Sequence, residues 1–564
     1  MPLVSARFSR RVLFGAFFSA PPFWAFAVLV ALPSPAPQLA RLAFPVTRMC
    51  AKVADSPSAA LSASYDAVPY GGGAIAGTRP DYIAAAARLR GLRPPDVTRC
   101  RVLDIGCATG GNLLSMAVTF PDSTFVGIDL SPRQIDSARA AARTIGVENV
   151  RFEAMSVADV DEDFGTFDYI VSHGVYSWVP PEIQHAILTV CSRNLVSDGI
   201  AYVSYNTYPG WHARALVREM MLFHDRPELS PSERVKRARD LLESVAKAVP
   251  KSDEVYAAVL QEEIHLLSDA SESYFMHEEL ESDNHPIYFI DFARRAAAVG
   301  LQYVTEAAAS LVDTQLSPEL RQKLRSWSSD NLQYEQYFDY VRNRTFRRSL
   351  LCHAGRAIEH EPTPATVPEM ITRARCFVDH DAPESKQPGV EVFRTSEGVA
   401  ATMAHPLAKA ALHALIESRP TGLAFDRLAE LTQAAMQGPG FSREILADAM
   451  LSCAMIRLVD LTMAPTPCTA TLSAEPVASP LARFEARKES LVTSLLHVAV
   501  DLSPFDRFVL RQLDGTRDAD AVVNEVMGAV SRGELDLGLP DRSTVVKAVD
   551  HAFRQFRLSG LLVS

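Results

Sequence analysis

The sequence predicts an α/β fold, a Rossmann-like doubly wound parallel sheet followed by mostly helical units that are winged-helix-like at the C-terminus. Three observations carry this. From Arg101 onward, short apolar runs alternate with helical stretches, the pattern of β-α units whose strands are covered on both faces. The first of those runs empties into a glycine-rich turn, "LDIGCATGGN". Near the C-terminus, two segments repeat one outline of three helices and a short apolar strand.

The elements follow in order. "RVLDIG" is a strand, and "GNLLSMAVTF" is a helix closed by Pro121-Asp122. "TFVGIDL" is the second strand. Ser131 caps the next helix, Pro132 fits its first position, Gln134 completes a capping box and Gly146 ends it. "VRFEAM" and "FDYIVSHG" are the third and fourth strands, "PEIQHAILTVCSRNL" is a helix, and "GIAYVSYN" is the fifth strand. From about residue 212 to 355 the pattern is mostly helical. The polar, Pro-rich stretches Glu361 to Gly389 and Ala464 to Pro480 read as linkers. The repeated modules open at "PLAKAALHALIESRP" and "PFDRFVLRQLDGTRD".

With 564 residues the chain exceeds a single core. Its net charge of -11 disfavours a general nucleic-acid binder and suits a basic partner. The last module, with nine acidic against eight basic residues from Pro504 to Ser564, shows no phosphate-binding face. Eight cysteines without a CxxC pair read as reduced, buried thiols. Cys352-His353 lacks the further ligands a metal site needs, and "HEEL" at His277 lacks the HExxH spacing. His277, Glu278, Tyr274 and Tyr288 form a polar-aromatic knot that suits either a lid or a helix junction.

The glycine turn is D-x-G-x-x-x-G, with Asp104, Gly106 and Gly110, and with Cys107 and Asn112 in the same stretch. The glycines let the backbone turn tightly and approach a ligand. The pattern is neither G-x-G-x-x-G nor a P-loop. Asp129 ends the second strand, 25 residues after Asp104. An acid at that tip is placed to accept both hydroxyls of a ribose, and it also favours the dipole of the next helix.

These residues resemble the class I S-adenosylmethionine-dependent methyltransferases. The resemblance implies that the turn at Asp104, Gly106 and Gly110 holds the amino-acid part of S-adenosyl-L-methionine, and that Asp129, followed by Leu130, holds its ribose. The family often has an Asp after the third strand; here Met155 and Ser156 stand there, for packing on the adenine and bonding to it. "SYDAVPY", "SHGVYSWVPPE", "YVSYNTYPGWHARALVREMMLFH", "PIYFIDFARRAAAVGLQYV" and "YFDYVRNRTFRRSLLCH" narrow the resemblance to bacterial methyltransferases with a methyltransferase regulatory domain, similar to rickettsial protein-lysine methyltransferases. It implies a protein substrate bearing lysine. The units expected are 1–60, a leader or mis-assigned start; 61–235, the methyltransferase domain; 236–360, a helical regulatory domain; 361–475, a linker with a winged-helix-like module; and 476–564, a second such module.

Ligands of open α/β sheets bind beyond the carboxyl ends of the strands. The loops after the fourth and fifth strands therefore share a rim with the glycine turn. His173, Tyr176, Trp178, Asn206, Tyr208 and Trp211 are expected to surround the space before the cofactor methyl. The alternative for the aromatics is to staple the loops to the body. Tyr65 and Tyr70 are expected to close over the cofactor. A small-molecule acceptor, a non-catalytic cofactor-binding scaffold and a homodimer stay open. No Asp or Glu precedes Asp55, and Val12 to Ala40 is uncharged, so the start reads as a signal or anchor, or as sequence upstream of a true start at Met49. The second reading is preferred, because a cytoplasmic enzyme has access to the cofactor.

Overall fold

The computed structural model describes residues 73–564 except 251, 269, 308–315, 437–439 and 539–540. The expectations for residues 1–60, Tyr65 and Tyr70 lie outside the described residues. No helix among the described residues is long and apolar enough to cross a membrane.

The centre is a seven-stranded sheet in the order β3-β2-β1-β4-β5-β7-β6. After a helix at Pro80–Arg88 (α1), strand β1 (Arg101–Ile105) leads into α2 (Gly111–Thr119), and β2 (Thr124–Asp129) into α3 (Pro132–Ile145). Then come β3 (Val150–Ala154), β4 (Phe167–Ser172), α4 (Pro181–Arg193) and β5 (Leu195–Asn206). The strand tips coincide at one edge: β1 and β2 run parallel with Asp104 opposite Gly127. Ser131 accepts a hydrogen bond from the Gln134 amide as the N-cap of α3. Successive strand residues face opposite layers. Val102, Tyr169, Val171 and Tyr202 enter the core beneath α1 and α2, while Leu103, Ile170, Val203 and Tyr205 enter the other. Each fully buried Val, Leu or Ile stabilises by about 1.5–3 kcal/mol.

The stretch expected to be mostly helical also carries two strands. Helices α5 (Trp211–His224), α6 (Pro231–Ala248), α7 (Glu254–Leu267) and α8 (Phe289–Ala298) do form. They are followed by β6 (Leu301–Glu306), helices α9 (Pro318–Trp327) and α10 (Asn331–Arg342), and β7 (Phe346–His353). The two strands complete the sheet, and β7 runs antiparallel to both β5 and β6, so the sheet is mixed. Arg347 hid this strand from a hydropathy reading. Its side chain is fully buried, donates to Asp339 at 2.8 Å and Glu306 at 2.8 Å, and stacks over Phe289 at 3.8 Å. A buried charge is tolerated only with such partners.

Glu361 to Gly389 is not a linker. It supplies β8 (Ile371–Ala374) and β9 (Cys376–Val378). The hairpin β10 (Glu391–Thr395) and β11 (Ala400–Met403) follows, then α11 (Pro406–Glu417), β12 (Leu423–Ala424), α12 (Phe425–Ala435), α13 (Arg443–Met455) and β13 (Val459–Thr462). Central β8 pairs β12 on one side and β13 on the other. The last module repeats the plan. It has α14 (Pro480–Glu485), a hairpin of β14 (Leu491–Thr493) and β15 (Ala499–Asp501), and helices α15 (Pro504–Gln512), α16 (Ala519–Ser531) and α17 (Arg542–Leu558). Val477 bridges Asp514 and Ala478 bridges Leu562, the pairings β8 makes with β12 and β13.

Candidate active site at the carboxyl edge of the sheet

The turn between β1 and α2 is built on glycines. Gly106 and Gly110 hold φ of +76° and +80°. A Cβ on Gly110 would lie 2.7 Å from the Phe152 ring, so both the backbone region and the space demand glycine. Asp129, at the tip of β2, braces this turn. One carboxylate oxygen accepts the Ala108 amide at 3.0 Å and the other the Ser131 amide at 2.9 Å. Leu130 follows it, half-buried.

Asp104 lies beneath the turn, buried and without a cationic partner among the described residues. Burial pushes its carboxyl up to about 7; the Asn112 hydrogen bond opposes the shift and Asp129 adds to it. Such a group is complemented by a cation brought from outside. A ligand carrying an ammonium and a ribose fits this pair of acids.

Several expected cofactor contacts have other duties. The Asn112 amide is committed inside the protein. Its Nδ2 donates to Asp104 at 3.2 Å, and its Oδ1 accepts from the Ile75 amide, the Thr78 hydroxyl and His497. The Cys107 side chain is buried, with its thiol pushed well up by burial, so only its backbone faces the turn. Ser156 caps a single 3-10 turn by accepting the Ala158 amide at 3.2 Å. Met155 is half-buried and packs on the core. His173, just past β4, bonds the Tyr202 hydroxyl through Nδ1 at 2.8 Å. Burial, with Arg348 nearby, pushes it down to about 4, so it is neutral at physiological pH.

The aromatic rim divides. Tyr176 is fully buried, edge-on to Tyr205 and Phe292. Trp178 and Trp211 are buried against each other at 6.3 Å. All three are buried. They fasten the loop after β4 to α5 and α8, because large apolar rings gain more from core burial than from a wet edge. Asn206 and Tyr208 are different. The Asn206 Nδ2 donates to Asn284 at 3.0 Å, and no hydrogen bond reaches its Oδ1 from the described residues. Tyr208 stands half-buried in a stack with His212 at 4.2 Å and Tyr288 at 5.2 Å. The bend after it requires Gly210, where a Cβ would lie 2.5 Å from the Asn343 carbonyl at the approach to β7. The knot at His277 is a helix junction. Phe275 and Met276 are buried with α5, α6 and α7, and Glu279 pairs with Arg214 at 3.0 Å.

Sequence reasoning missed two residues beside this site. His497, at the tip of the last module's hairpin, is buried. Its Nδ1 bonds Ser115 Oγ at 2.9 Å and its Nε2 bonds Asn112 Oδ1 at 2.9 Å. Burial holds its pKa well below 6.5. The neutral ring therefore donates from Nε2 to Asn112 and accepts from Ser115. Arg79 joins the same hairpin through the Leu495 carbonyl at 2.8 Å and pairs with Asp81 at 2.7 Å. No local pattern marks partners more than 380 residues apart.

Family models match at 102–199 (methyltransferase domain), 271–353 (predicted methyltransferase regulatory domain) and 475–556 (PKMT, C-terminal winged helix domain). The uncharacterized protein RP789 of Rickettsia prowazekii is 32% identical over 489 residues, which is 84% of this chain and 87% of that protein. This chain belongs to the class I S-adenosylmethionine-dependent methyltransferases with a regulatory domain. The methyltransferase is also similar to RP028 of the same organism, 41% identical over 41% of this chain and 93% of that one. PKMT2 from Rickettsia typhi, solved also in complex with AdoHcy, superposes with a TM-score of 0.78 at 28% identity, covering 88% of this chain and 100% of PKMT2. The cofactor of the methyltransferase is S-adenosylmethionine.

Proposed function

We propose that this methyltransferase transfers methyl groups to lysine side chains of a protein. The observation that carries the reading is the unmatched Asn206 Oδ1, fixed by Asn284 beside Tyr208 at the edge that bears Asp104 and Asp129. An acceptor there suits a nucleophile that arrives with N–H bonds, and the likeness to PKMT2 along nearly the whole chain supports a protein substrate. Asp104 would face the cofactor's ammonium, Asp129 its ribose, and the backbone from Gly106 to Gly110 its amino-acid part.

When bound, the cofactor supplies an electrophilic methyl on a sulfonium. The chain's own part is position and electrostatics. Asn206 Oδ1 accepts an amine N–H and so aims the nitrogen lone pair. The Tyr208 hydroxyl keeps its proton, since burial and neighbouring Tyr288 push its pKa up; it therefore orients and does not act as a base. A lysine begins as an ammonium with a pKa of about 10.4. The aromatic shelf of Tyr208, His212 and Tyr288 disfavours that charge once water is excluded, and solvent takes the proton before attack.

The test is transfer from deuterated S-adenosylmethionine into host lysate, with the modified sites mapped by mass spectrometry. Label on lysine side chains, lost with Asp129→Ala and reduced about 10–100-fold with Asn206→Ala, is the expected result. Label confined to small molecules overturns the lysine reading.

A further inference from the structure

A cavity of about 420 Å³ lies where the sheet meets both C-terminal modules. One wall is α1, through Ala85, Ala86 and Leu89; another is Arg348, two residues into β7; the others come from the two modules. Asp104, Asp129 and the glycine turn do not line it. The cavity is nonetheless close to the rim. Arg348 pairs across the sheet with Ser204, two residues before Asn206, and it contributes to the depressed pKa of His173.

The charge of this cavity opposes that of the chain. Five arginines line it against two carboxylates, Glu397 and Asp460, in a chain of net charge -11. Asp460 takes Arg373 and Arg375, and Glu397 takes Arg375 again. Arg348 and Arg457 both line the cavity, and neither forms an ion pair with a described residue. Arg457 also holds a φ of +58°, a left-handed conformation that costs a non-glycine residue about 1–3 kcal/mol and persists where the surroundings impose it. Burial, then Arg375 and Arg348, lower the pKa of its guanidinium, while Glu397 and Asp460 oppose the shift. Leu89, Val459 and Val498 supply apolar surface between the charges.

We propose that this cavity receives an acidic segment of the acceptor protein, with Arg348 and Arg457 binding carboxylate side chains that flank the target lysine. Guanidinium forks match carboxylates in pairs. A basic pocket on an acidic enzyme also selects by context, because acceptors without the flanking acids gain none of its attraction. The proposal rests on the lysine reading above.

The experiment is fluorescence anisotropy on the full chain with two rhodamine-labelled decapeptides. One carries lysine between aspartates and glutamates, the other carries the same lysine between asparagines and glutamines. The acidic peptide is expected to bind at least tenfold more tightly, to weaken from 50 to 200 mM salt, and to lose that advantage in Arg348→Gln/Arg457→Gln at an unchanged unfolding midpoint. Equal binding of the two peptides, or undiminished acidic binding by the double variant, overturns the proposal. So does competition by inorganic pyrophosphate without any peptide preference, which marks a small-anion site. Methyl transfer is read separately. An acidic peptide that binds but is never methylated refutes the lysine reading and leaves the cavity standing; equal methylation of both peptides does the reverse.

Discussion

The two C-terminal modules share a topology and put it to different uses. Each has a central strand, a hairpin, three helices and a closing strand that returns to the first. In the first module the hairpin β10–β11 stays at home. It pairs with β9, and Glu391 reaches His413 on α11 at 2.5 Å. At its turn, Glu397 pairs with Arg375 at 2.7 Å on the wall of the arginine cavity. In the second module the hairpin packs on its own body through Val492 and the Leu495 amide, which donates to the Gly560 carbonyl, and its tip reaches beyond it. Its tip residue His497, held at a φ of +60°, reaches Asn112 and through it Asp104. One plan thus brings both hairpin tips to the arginine cavity, Glu397 from the first and His497 and Val498 from the second, and the second also bonds Asn112 beside Asp104.

That contrast can be broken at four points. The largest effect is expected for Arg79→Ala, which removes the staple on the second hairpin and strands the buried Asp81; chemical denaturation should report a loss of about 3–5 kcal/mol. If the loss is below 1 kcal/mol, the second module is not fastened as described. Asp104→Asn comes next. Cofactor affinity by calorimetry should fall by about two orders of magnitude, near 2.8 kcal/mol at about 1.4 kcal/mol per tenfold.

The same site sets a pH dependence. Folded Asp104 keeps its proton to about pH 7, whereas its ordinary value is 3.8. Between those values the folded state binds more protons than the unfolded one, so the ligand-free fold loses stability as pH rises from 4 to 7 and stays weakened above. Asp104→Asn should therefore raise the unfolding temperature at pH 8, on the order of 2 °C. Cofactor affinity of the native enzyme should fall as pH drops below 7 and the carboxylate is neutralised.

His497→Ala is third. It leaves Asn112 without one of its donors and should weaken cofactor binding about tenfold, roughly 1.4 kcal/mol, and His497→Gln should recover part of it. Unchanged affinity in His497→Ala would mean the second hairpin only packs. The smallest effect belongs to the matched position of the first module. Glu397→Ala should leave cofactor affinity within about twofold, since its partner is a half-exposed ion pair, while it tightens binding of the acidic decapeptide.

Much of the proposed cofactor edge was legible because it is local. Asp104, Gly106 and Gly110 lie within seven residues, and Asp129 closes the next strand, so strand period and turn chemistry sufficed. The aromatic rim was read less well. Tyr176 and Trp178 stand in the right loop, but which way a ring faces depends on Phe292 and Trp211, which arrive from other elements. Strands β6 and β7 were invisible for a related reason. "TFRRSLLCH" looks too charged for an interior strand until Asp339 and Glu306 are placed around Arg347.

The sequence by itself determined the alternation of strands and helices, the glycine turn, the second-strand acid and the repetition of the two terminal modules. These depend on neighbours within a few turns of chain, where backbone sterics and hydrophobic period dominate. Only the tertiary structure decided that the sheet is completed by an antiparallel strand, that three of the expected rim aromatics are core, and that His497 stands behind Asp104. Those outcomes depend on contacts between segments far apart in the chain, where the free energy of burying a group is set by partners that no local pattern records.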